Sequence, residues 1–316
     1  MNGPAPVPLD PAKFQDPVRT ARGEARAVVA LQGLATLWIN TGTLCNLACE
    51  SCYIESTPRN DRLAYITAAE VAGYLDEIAR DRLPTRTVGF TGGEPFLNPD
   101  IVAMLDDAMG RGHDALVLTN AMRPMMKHAD ALLGLHRRHP GRLAVRVSID
   151  HYDRRLHEQE RGPRSWAPAM AGLRFLAGNG FAVHVAGRTR WGGSEAELRR
   201  GFARLFAAEG IPIDCEDPVR LVLFPEMASG HDVPEITEAC WGILHRSPDS
   251  VMCASARMVV KRKDAPGPAV LACTLLPYDP RFELGTTLAA AARPVPLNHP
   301  YCARFCVLGG GSCGGG

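Results

Sequence analysis

Short apolar runs alternate with helical segments from residue 36 to residue 225, and this alternation restricts the possible folds more than any other feature. Continuous apolar runs of this length are typical of parallel strands buried on both faces. Strands that alternate with helices predict β/α units and a parallel sheet. Six units are too few for a full eight-stranded barrel, so we predict an α/β fold, a partial (β/α)6 TIM-like barrel. Its strands are expected at residues 36–40, 87–91, 115–119, 143–149, 181–187 and 219–224.

Helix signals lie between these runs. Asn98 before Pro99 predicts an N-cap with proline at the first helical position, and Gly110 predicts the end of that helix. Two further helices are predicted to begin at capping boxes, in which a Ser or Thr side chain and a Glu three residues later satisfy each other's backbone amides. These pairs are Thr67 with Glu70 and Ser194 with Glu197.

The flanks of the alternating region differ from it in composition. Five prolines fall within residues 1–17 and predict a loose N-terminal arm over residues 1–34. The β/α rhythm ends after Phe224, where proline and glycine recur and cysteines return. We therefore predict three parts: the arm at 1–34, the barrel at 35–227, and a small cysteine-rich C-terminal domain at 228–316. So short a domain has little core of its own, and a bound metal would stabilise it.

Charge and hydropathy exclude several classes of protein. Lys and Arg number 35 against 34 Asp and Glu, so the formal net charge is +1. A near-neutral chain without a basic block is poorly suited to bind phosphate backbones, which disfavours nucleic acid as a partner. No apolar run reaches the roughly 18 residues of a membrane span. The most apolar early stretch, residues 27–38, lacks a signal-peptide cleavage site. We expect a cytoplasmic protein without a membrane partner.

Ten cysteines are unusual for such a chain. Disulfides are typical of small secreted proteins, whereas this chain is long and has no export signal. The cysteines also cluster near the two ends, which favours metal binding over disulfides. Cys215 and Cys240 have no cysteine neighbours in the sequence, so we predict that they are core thiols.

The first cluster is a C-x3-C-x2-C motif formed by Cys45, Cys49 and Cys52, directly after the first predicted strand. This spacing also fits the apolar stripe of a helix, because buried thiols behave as small hydrophobic groups. As metal ligands, three thiolates are one short of the four that fully ligate a four-iron cubane, so one iron would stay open to a small ligand. The residues alone leave both interpretations open.

With Tyr53 after the third cysteine, the motif resembles the signature of the radical S-adenosylmethionine (SAM) superfamily. The resemblance implies that Cys45, Cys49 and Cys52 hold a [4Fe-4S] cluster whose open iron is chelated by the amino and carboxylate groups of SAM. One electron from the cluster would cleave a carbon–sulfur bond, giving methionine and a 5′-deoxyadenosyl radical that abstracts hydrogen from a substrate. It also implies a flavodoxin or ferredoxin-type reductant.

The stretch Thr91-Gly92-Gly93-Glu94 follows the second predicted strand. Adjacent glycines allow close backbone approach, and the carboxylate can accept from an ammonium group, although an ordinary glycine turn fits too. In the family that this motif resembles, the corresponding residues bind the amino group of SAM.

Further polar residues lie at the ends of later strands. By the same resemblance, Ser148 and Asp150 are expected to contact the ribose of SAM, and Arg161 its carboxylate, unless Arg161 is a solvated helix residue. Asn120 and Arg188 follow the third and fifth strands and are expected to face SAM or substrate. Active sites of β/α barrels lie at the carboxyl ends of the strands, so these residues are expected to converge.

The second cluster resembles the SPASM/twitch extension of radical SAM enzymes, which carries auxiliary iron–sulfur clusters. It departs from that pattern, with five residues between Gly267 and the next cysteine, one more than expected, and C-x3-C-x6-C near the end. Five cysteines cannot ligate two cubanes, so we expect one auxiliary cluster, a [4Fe-4S], with one cysteine spare or replacing a non-protein ligand. A zinc site or scattered core thiols are the alternatives. The candidate ligands are Cys253, Cys273, Cys302, Cys306 and Cys313.

The substrate does not follow from these motifs, because one fold hosts many activities, and no catalytic base is identified. A small molecule or short peptide is the default expectation, and a peptide- or protein-modifying maturase is the alternative. Two readings from other classes are a two-cluster electron carrier and a zinc-stabilised binding protein. Neither would need SAM ligands such as Glu94.

Overall fold

The computed structural model describes residues 7–226 and 230–310 and has an α/β fold with a mostly parallel sheet. A short strand, β1 (Val28–Val29), precedes six parallel strands that lie side by side in chain order. All six predicted strands are confirmed, with ends shifted by two residues at most. They are β2 (Thr36–Asn40), β3 (Thr87–Thr91), β4 (Asp114–Thr119), β5 (Leu143–Ser148), β6 (Ala182–Arg188) and β7 (Leu221–Phe224).

Helices connect the parallel strands. Both predicted capping boxes are confirmed, at the start of the first helix and of the seventh. The helices are α1 (Ala68–Asp81), α2 (Ile101–Gly110), α3 (Arg123–Met126), α4 (Ala129–Arg138), α5 (Arg154–Arg161), α6 (Trp166–Gly178), α7 (Glu195–Glu209) and α8 (Cys240–Ile243).

The predicted N-cap at Asn98 is wrong, although the helix ends at Gly110 as expected. Helix α2 begins at Ile101, with Asp100 at the N-cap. The Asn98 side chain is buried and donates through Nδ2 to the carbonyls of Thr41 and Ile66, both at 2.9 Å. Buried carbonyl groups need hydrogen-bond donors, so the side-chain amide of Asn98 links the two neighbouring loops that carry these carbonyls.

The sheet continues beyond residue 228. Strand β8 (Ala256–Val260) lies parallel to β2 on the side away from β3, followed by the antiparallel strands β9 (Ala269–Leu271) and β10 (Glu283–Gly285). The buried apolar residues form one cluster that spans both regions, including Leu37, Phe90, Val259 and Phe282. The described C-terminal residues thus share the core of the parallel strands, and the domain boundary near residue 228 stays a prediction.

The described part of the N-terminal arm is packed, not loose. Strand β1 pairs with β11 (Val295–Pro296), and Phe14 is only 2% exposed. Arg26 is buried and pairs with Glu235 at 2.5 Å. Proline excludes long regular elements here, but isolated pairings and one buried ion pair still fix the segment against the C-terminal part.

In the part of the chain that the structure describes, no helix has the length and apolar character needed to cross a membrane.

Candidate active site

The loop between β2 and α1 carries the three cysteines of the first motif. Burial, together with the smaller effects of the neighbouring Glu94 and Cys49, raises the pKa of Cys45 to about 12. Burial likewise raises the pKa of Cys49, with Arg161 opposing the shift and Cys52 adding to it. The three thiols therefore lie close enough to act on one another electrostatically.

This donor set fits an iron–sulfur cluster. Thiolates are its ligands, and bound iron would offset the cost of placing negative sulfur in this buried loop. Within residues 7–226 and 230–310, no three His, Cys, Asp or Glu side chains form a group that could hold a single metal ion. In a cubane each thiolate binds a different iron, so its ligands need not converge on one point.

The glycines after β3 bring two loops into direct contact. A Cβ on Gly93 would lie 2.2 Å from the carbonyl oxygen of Leu44, and Gly92 has a φ of +140°. The Gly93 amide donates to the carbonyl of Gly42 at 2.8 Å, and the Glu94 amide to that of Leu44 at 3.1 Å. These glycines are required because the strand end packs backbone to backbone against the cysteine loop.

Glu94 is buried at the carboxyl edge of the sheet, with 2% of its surface exposed. Its carboxylate accepts from Thr119 Oγ1 at 2.8 Å, the Asn120 amide at 2.9 Å and the Phe96 amide at 3.2 Å. Burial raises the pKa of Glu94 to about 7, and these hydrogen bonds and Arg161 oppose the shift. A carboxylate has about four acceptor sites, so three donors leave room for one more.

Asn120 connects this edge to the cysteine loop, because its Nδ2 donates to Asn46 Oδ1 at 2.8 Å. Thr91 is buried at the end of β3, and its carbonyl accepts from Thr41 at 2.8 and 3.0 Å. Ser148 ends β5, and Tyr53 packs against the core.

Asp150, just after β5, holds two arginines together. Arg161 on α5 donates to both of its oxygens through a short Nε contact and an Nη2 contact of 3.3 Å. Arg188, at the end of β6, lies 3.3 Å from Asp150 Oδ1. Burial would raise the pKa of Asp150, but Arg161 and Arg188 outweigh it and hold that pKa below its usual value. Arg161 is therefore a largely buried ion-pair partner, with 13% of its side chain exposed, rather than a solvated helix residue.

Sequence reasoning missed several residues here. Glu160 is buried and bonds to Ser51 in the cysteine loop, and Arg190 pairs with Glu160 at 2.5 Å. His157 is fully buried, and neither ring nitrogen has a hydrogen-bond partner in the described ranges. Its ring packs edge-on against Trp166, with centroids 5.3 Å apart. The only signal for Glu160 and His157 is their place on the helix that carries Arg161.

Four of the five C-terminal cysteines line one small apolar cavity of about 20 Å³. Buried Arg257 lies beside it and donates to four backbone carbonyls; none of the ion pairs found among the described residues includes it. Cys313 lies outside the described residues. Cys215 is buried in the core as predicted, and Cys240 is partly buried against it. The four lining cysteines are Cys253, Cys273, Cys302 and Cys306.

Together, these observations define a β/α protein with a cofactor-type site at the carboxyl edge of its sheet. A thiol-rich loop, a buried carboxylate and a buried cluster of arginines and acids meet there. This edge is where open α/β sheets and β/α barrels bind ligands.

Part of the chain is similar to a known family. Residues 39–189 match the family model of the Radical SAM superfamily. This range begins within β2 and contains β3 to β6, the cysteine loop and the Arg161–Asp150 ion pair. Just under half of the chain is therefore similar to the Radical SAM superfamily.

Curated relatives match less than half of the chain. The chain is 29% identical over 143 residues to the antilisterial bacteriocin subtilosin biosynthesis protein AlbA of Bacillus subtilis, covering 45% of this chain and 30% of that protein. It is 34% identical over 145 residues to GTP 3′,8-cyclase of Rhodococcus opacus, covering 44% and 38%. It is 28% identical over 138 residues to mycofactocin maturase MftC of Mycobacterium ulcerans, covering 44% and 35%. The matches thus span about a third of each relative's length.

Solved structures show the same fold. SuiB of Streptococcus suis bound to S-adenosylmethionine aligns with a TM-score of 0.58 at 13% identity, covering 80% of this chain and 63% of that one. Native anSMEcpe with bound AdoMet aligns with a TM-score of 0.57 at 12% identity, covering 81% and 79%. At such low identity these likenesses speak for the fold alone.

Proposed function

We propose that this protein reductively cleaves SAM at a [4Fe-4S] cluster held by Cys45, Cys49 and Cys52, forming a 5′-deoxyadenosyl radical that abstracts hydrogen from a peptide substrate. The observation that carries this proposal is the convergence of the cysteine loop with Glu94 and Arg161 at the carboxyl edge of the sheet. When bound, the cluster supplies the electron for the cleavage and an open iron for SAM.

The chain's own residues would bind and orient SAM. Glu94 has an acceptor site left for the SAM ammonium, beside the Gly92-Gly93 backbone. Arg161 uses two of its five donors on Asp150 and would direct another at the SAM carboxylate. Further residues of the same edge are proposed to line the SAM site: Tyr53, Thr91, Asn120, Ser148, Asp150 and Arg188.

A peptide is the proposed substrate class. Two of the curated relatives are named for bacteriocin biosynthesis and for mycofactocin maturation, which supports a maturase-type activity. The relative named GTP 3′,8-cyclase supports the second candidate, a small-molecule substrate. We further propose a flavodoxin or ferredoxin-type reductant, a cytoplasmic location and a (β/α)6 partial barrel.

We also propose one auxiliary [4Fe-4S] cluster in a SPASM/twitch-like C-terminal domain. Four cysteines around one cavity match the four ligands of a cubane, which makes Cys313 the spare one. Arg257 supports this assignment, because a buried guanidinium bonded to neutral carbonyls needs a nearby anion. Cys253 and Cys273, the two cysteines that raise the pKa of Arg257 against the larger effect of burial, would supply it as thiolates.

The experiment incubates the reconstituted, reduced protein with SAM and either synthetic peptides or GTP, and measures 5′-deoxyadenosine and product masses. We expect 5′-deoxyadenosine from the wild type, more of it with a peptide substrate, and a changed peptide mass. Cys49→Ala should form none, whereas Cys240→Ala, outside both cysteine sets, should match the wild type. If Cys49→Ala still cleaves SAM as the wild type does, the proposed function is overturned. Turnover of GTP instead of peptides would favour the second candidate.

A further inference from the structure

The turn between the second and third cysteines is held from outside. Its own closing bond, from the Cys52 amide to the Cys49 carbonyl, is long at 3.4 Å. Hydrogen bonds weaken towards this length, so local bonding fixes the turn poorly. The two central residues, Glu50 and Ser51, instead bond to the end of helix α5.

Both central amides bond to one residue, Glu160. Its carboxylate accepts from the Ser51 amide at 3.0 Å and from the Ser51 hydroxyl at 2.8 and 2.7 Å. Its backbone carbonyl accepts from the Glu50 amide at 2.9 Å. Glu160 thereby fixes the position and direction of the peptide units between the two cysteines.

Arg188, the last residue of β6, and Arg190, two residues later, also bond to this turn or to Glu160. Arg190 donates to Glu160 at 2.5 Å, and Arg188 donates to the hydroxyl and carbonyl oxygens of Ser51 at 3.0 and 3.3 Å. The Glu160 side chain has no exposed surface. A buried carboxylate is tolerated only when paired and hydrogen-bonded, so this contact is specific, unlike a surface ion pair.

We propose that Glu160 is the positioning residue that pre-forms the Cys49–Cys52 turn before any metal binds; this inference rests on the cluster proposed for that loop. Helix α5 and the residues after β6 belong to the barrel framework, so they hold the turn whether or not iron is present. Ligands held in place by surrounding hydrogen bonds bind metal more tightly than mobile ones.

The charges of this group predict a second effect. Asp150 and Glu160 face Arg161, Arg188 and Arg190, so neutralising Glu160 increases the excess of positive charge beside the cysteine loop. Positive charge favours the reduced, more negative form of a cluster. The midpoint potential should therefore rise in a Glu160→Gln variant, which loosened packing alone would not predict.

The test compares the wild type with Glu160→Gln and Glu50→Gln. Glu50 pairs with the same Arg190 at 2.8 Å but is largely exposed, which makes it a matched control. In the metal-free protein, we expect faster amide exchange over residues 45–56 in Glu160→Gln only. In the reconstituted protein, iron release to a chelator should be about tenfold faster, which corresponds to the loss of one charge-assisted hydrogen bond. The midpoint potential should rise.

Wild-type values for exchange, iron release and potential in Glu160→Gln would overturn the inference, as would equal changes in Glu50→Gln. If Glu160→Gln does not fold, Ser51→Ala decides instead, because it removes the hydroxyl bonds and keeps the Glu160–Arg190 ion pair. Amide exchange and iron release should then change in the same direction but by less. A wild type that takes up no iron would end the proposed function, whereas the exchange measurement in the metal-free protein would still test the role of Glu160.

Discussion

Glu94 combines a structural and a proposed chemical role in one side chain. It caps the turn after β3 and bonds to the end of β4, so it fastens two strand ends. A pKa near 7 means that small changes in its surroundings change its charge. An ammonium group beside it would favour the charged carboxylate.

Glu94→Gln tests this residue with little change in size. The variant keeps an acceptor but loses the charge, and a charge-assisted hydrogen bond contributes about 1.5–3 kcal/mol. SAM affinity should fall by roughly ten- to a hundredfold, measured by equilibrium binding to the reconstituted protein. Glu209→Gln, on the far end of α7, serves as the control. Unchanged SAM affinity in Glu94→Gln would remove Glu94 from the SAM site.

His157 makes the stability of the chain depend on pH. Burial, together with the smaller effect of the neighbouring Arg161, lowers its pKa to about 4. The unfolded chain therefore binds a proton at a pH where the folded chain does not, and stability falls as the pH drops from 6.5 towards 4. At pH 5 the wild type should lose about 2 kcal/mol relative to pH 7 through this residue.

The measurement for His157 is urea unfolding of the metal-free protein at pH 7 and pH 5. His157→Leu removes the titrating group and should show a smaller loss between the two values. An equal loss of stability in both proteins would mean that folding does not lower the pKa of His157.

Among the elements, the turn after β3 is the most constrained by its neighbours. Gly93→Ala would place a methyl group 2.2 Å from the carbonyl oxygen of Leu44, so the two loops must move apart. We expect a loss of stability of about 3 kcal/mol, together with weaker iron retention, because overpacking costs typically 1–3 kcal/mol or more. Thermal unfolding and iron analysis measure both effects.

Gly73→Ala is the control for that variant. Gly73 lies within α1, and nothing stands within 4 Å of the position where its Cβ would be. Alanine favours the helix over glycine by about 0.8–1 kcal/mol, so this variant should be as stable as the wild type or more so. Destabilisation of both variants to the same extent would contradict the packing argument.

The elements that can be predicted from the sequence are those determined by residues close together along the chain. Apolar runs give the strands, and the capping boxes at Thr67 and Ser194 give two helix starts, because their causes lie within a few residues. The N-cap prediction at Asn98 is wrong, because this side chain bonds to loops that are distant in the sequence. The Glu160–Ser51 contact joins residues 109 positions apart, so no local pattern could reveal it.

At the scale of the whole molecule, one nine-stranded sheet and one core join the region that matches the Radical SAM family model to the described C-terminal residues. Under the proposed function, the auxiliary cluster is attached to the same framework as the SAM site. The two clusters have different roles, which a variant of one cysteine can separate. Cys273→Ala should retain substantial SAM cleavage without substrate but lose product formation, and it should loosen the C-terminal segment.

Mass spectrometry of 5′-deoxyadenosine and product, together with limited proteolysis, checks these outcomes against Cys240→Ala. Full product formation in Cys273→Ala would exclude this cysteine as a required ligand. Loss of SAM cleavage with the first cluster intact would instead make the auxiliary cluster a source of electrons for the first.

The most direct test of the central claim is the iron and sulfide content of the anaerobically reconstituted chain. We expect about eight irons per chain in the wild type, four for each cubane. Replacing Cys45, Cys49 and Cys52 together by alanine should leave about four irons, held by the C-terminal cysteines. A triple variant with the same iron content as the wild type would contradict the account, because the loop after β2 would then hold no cluster.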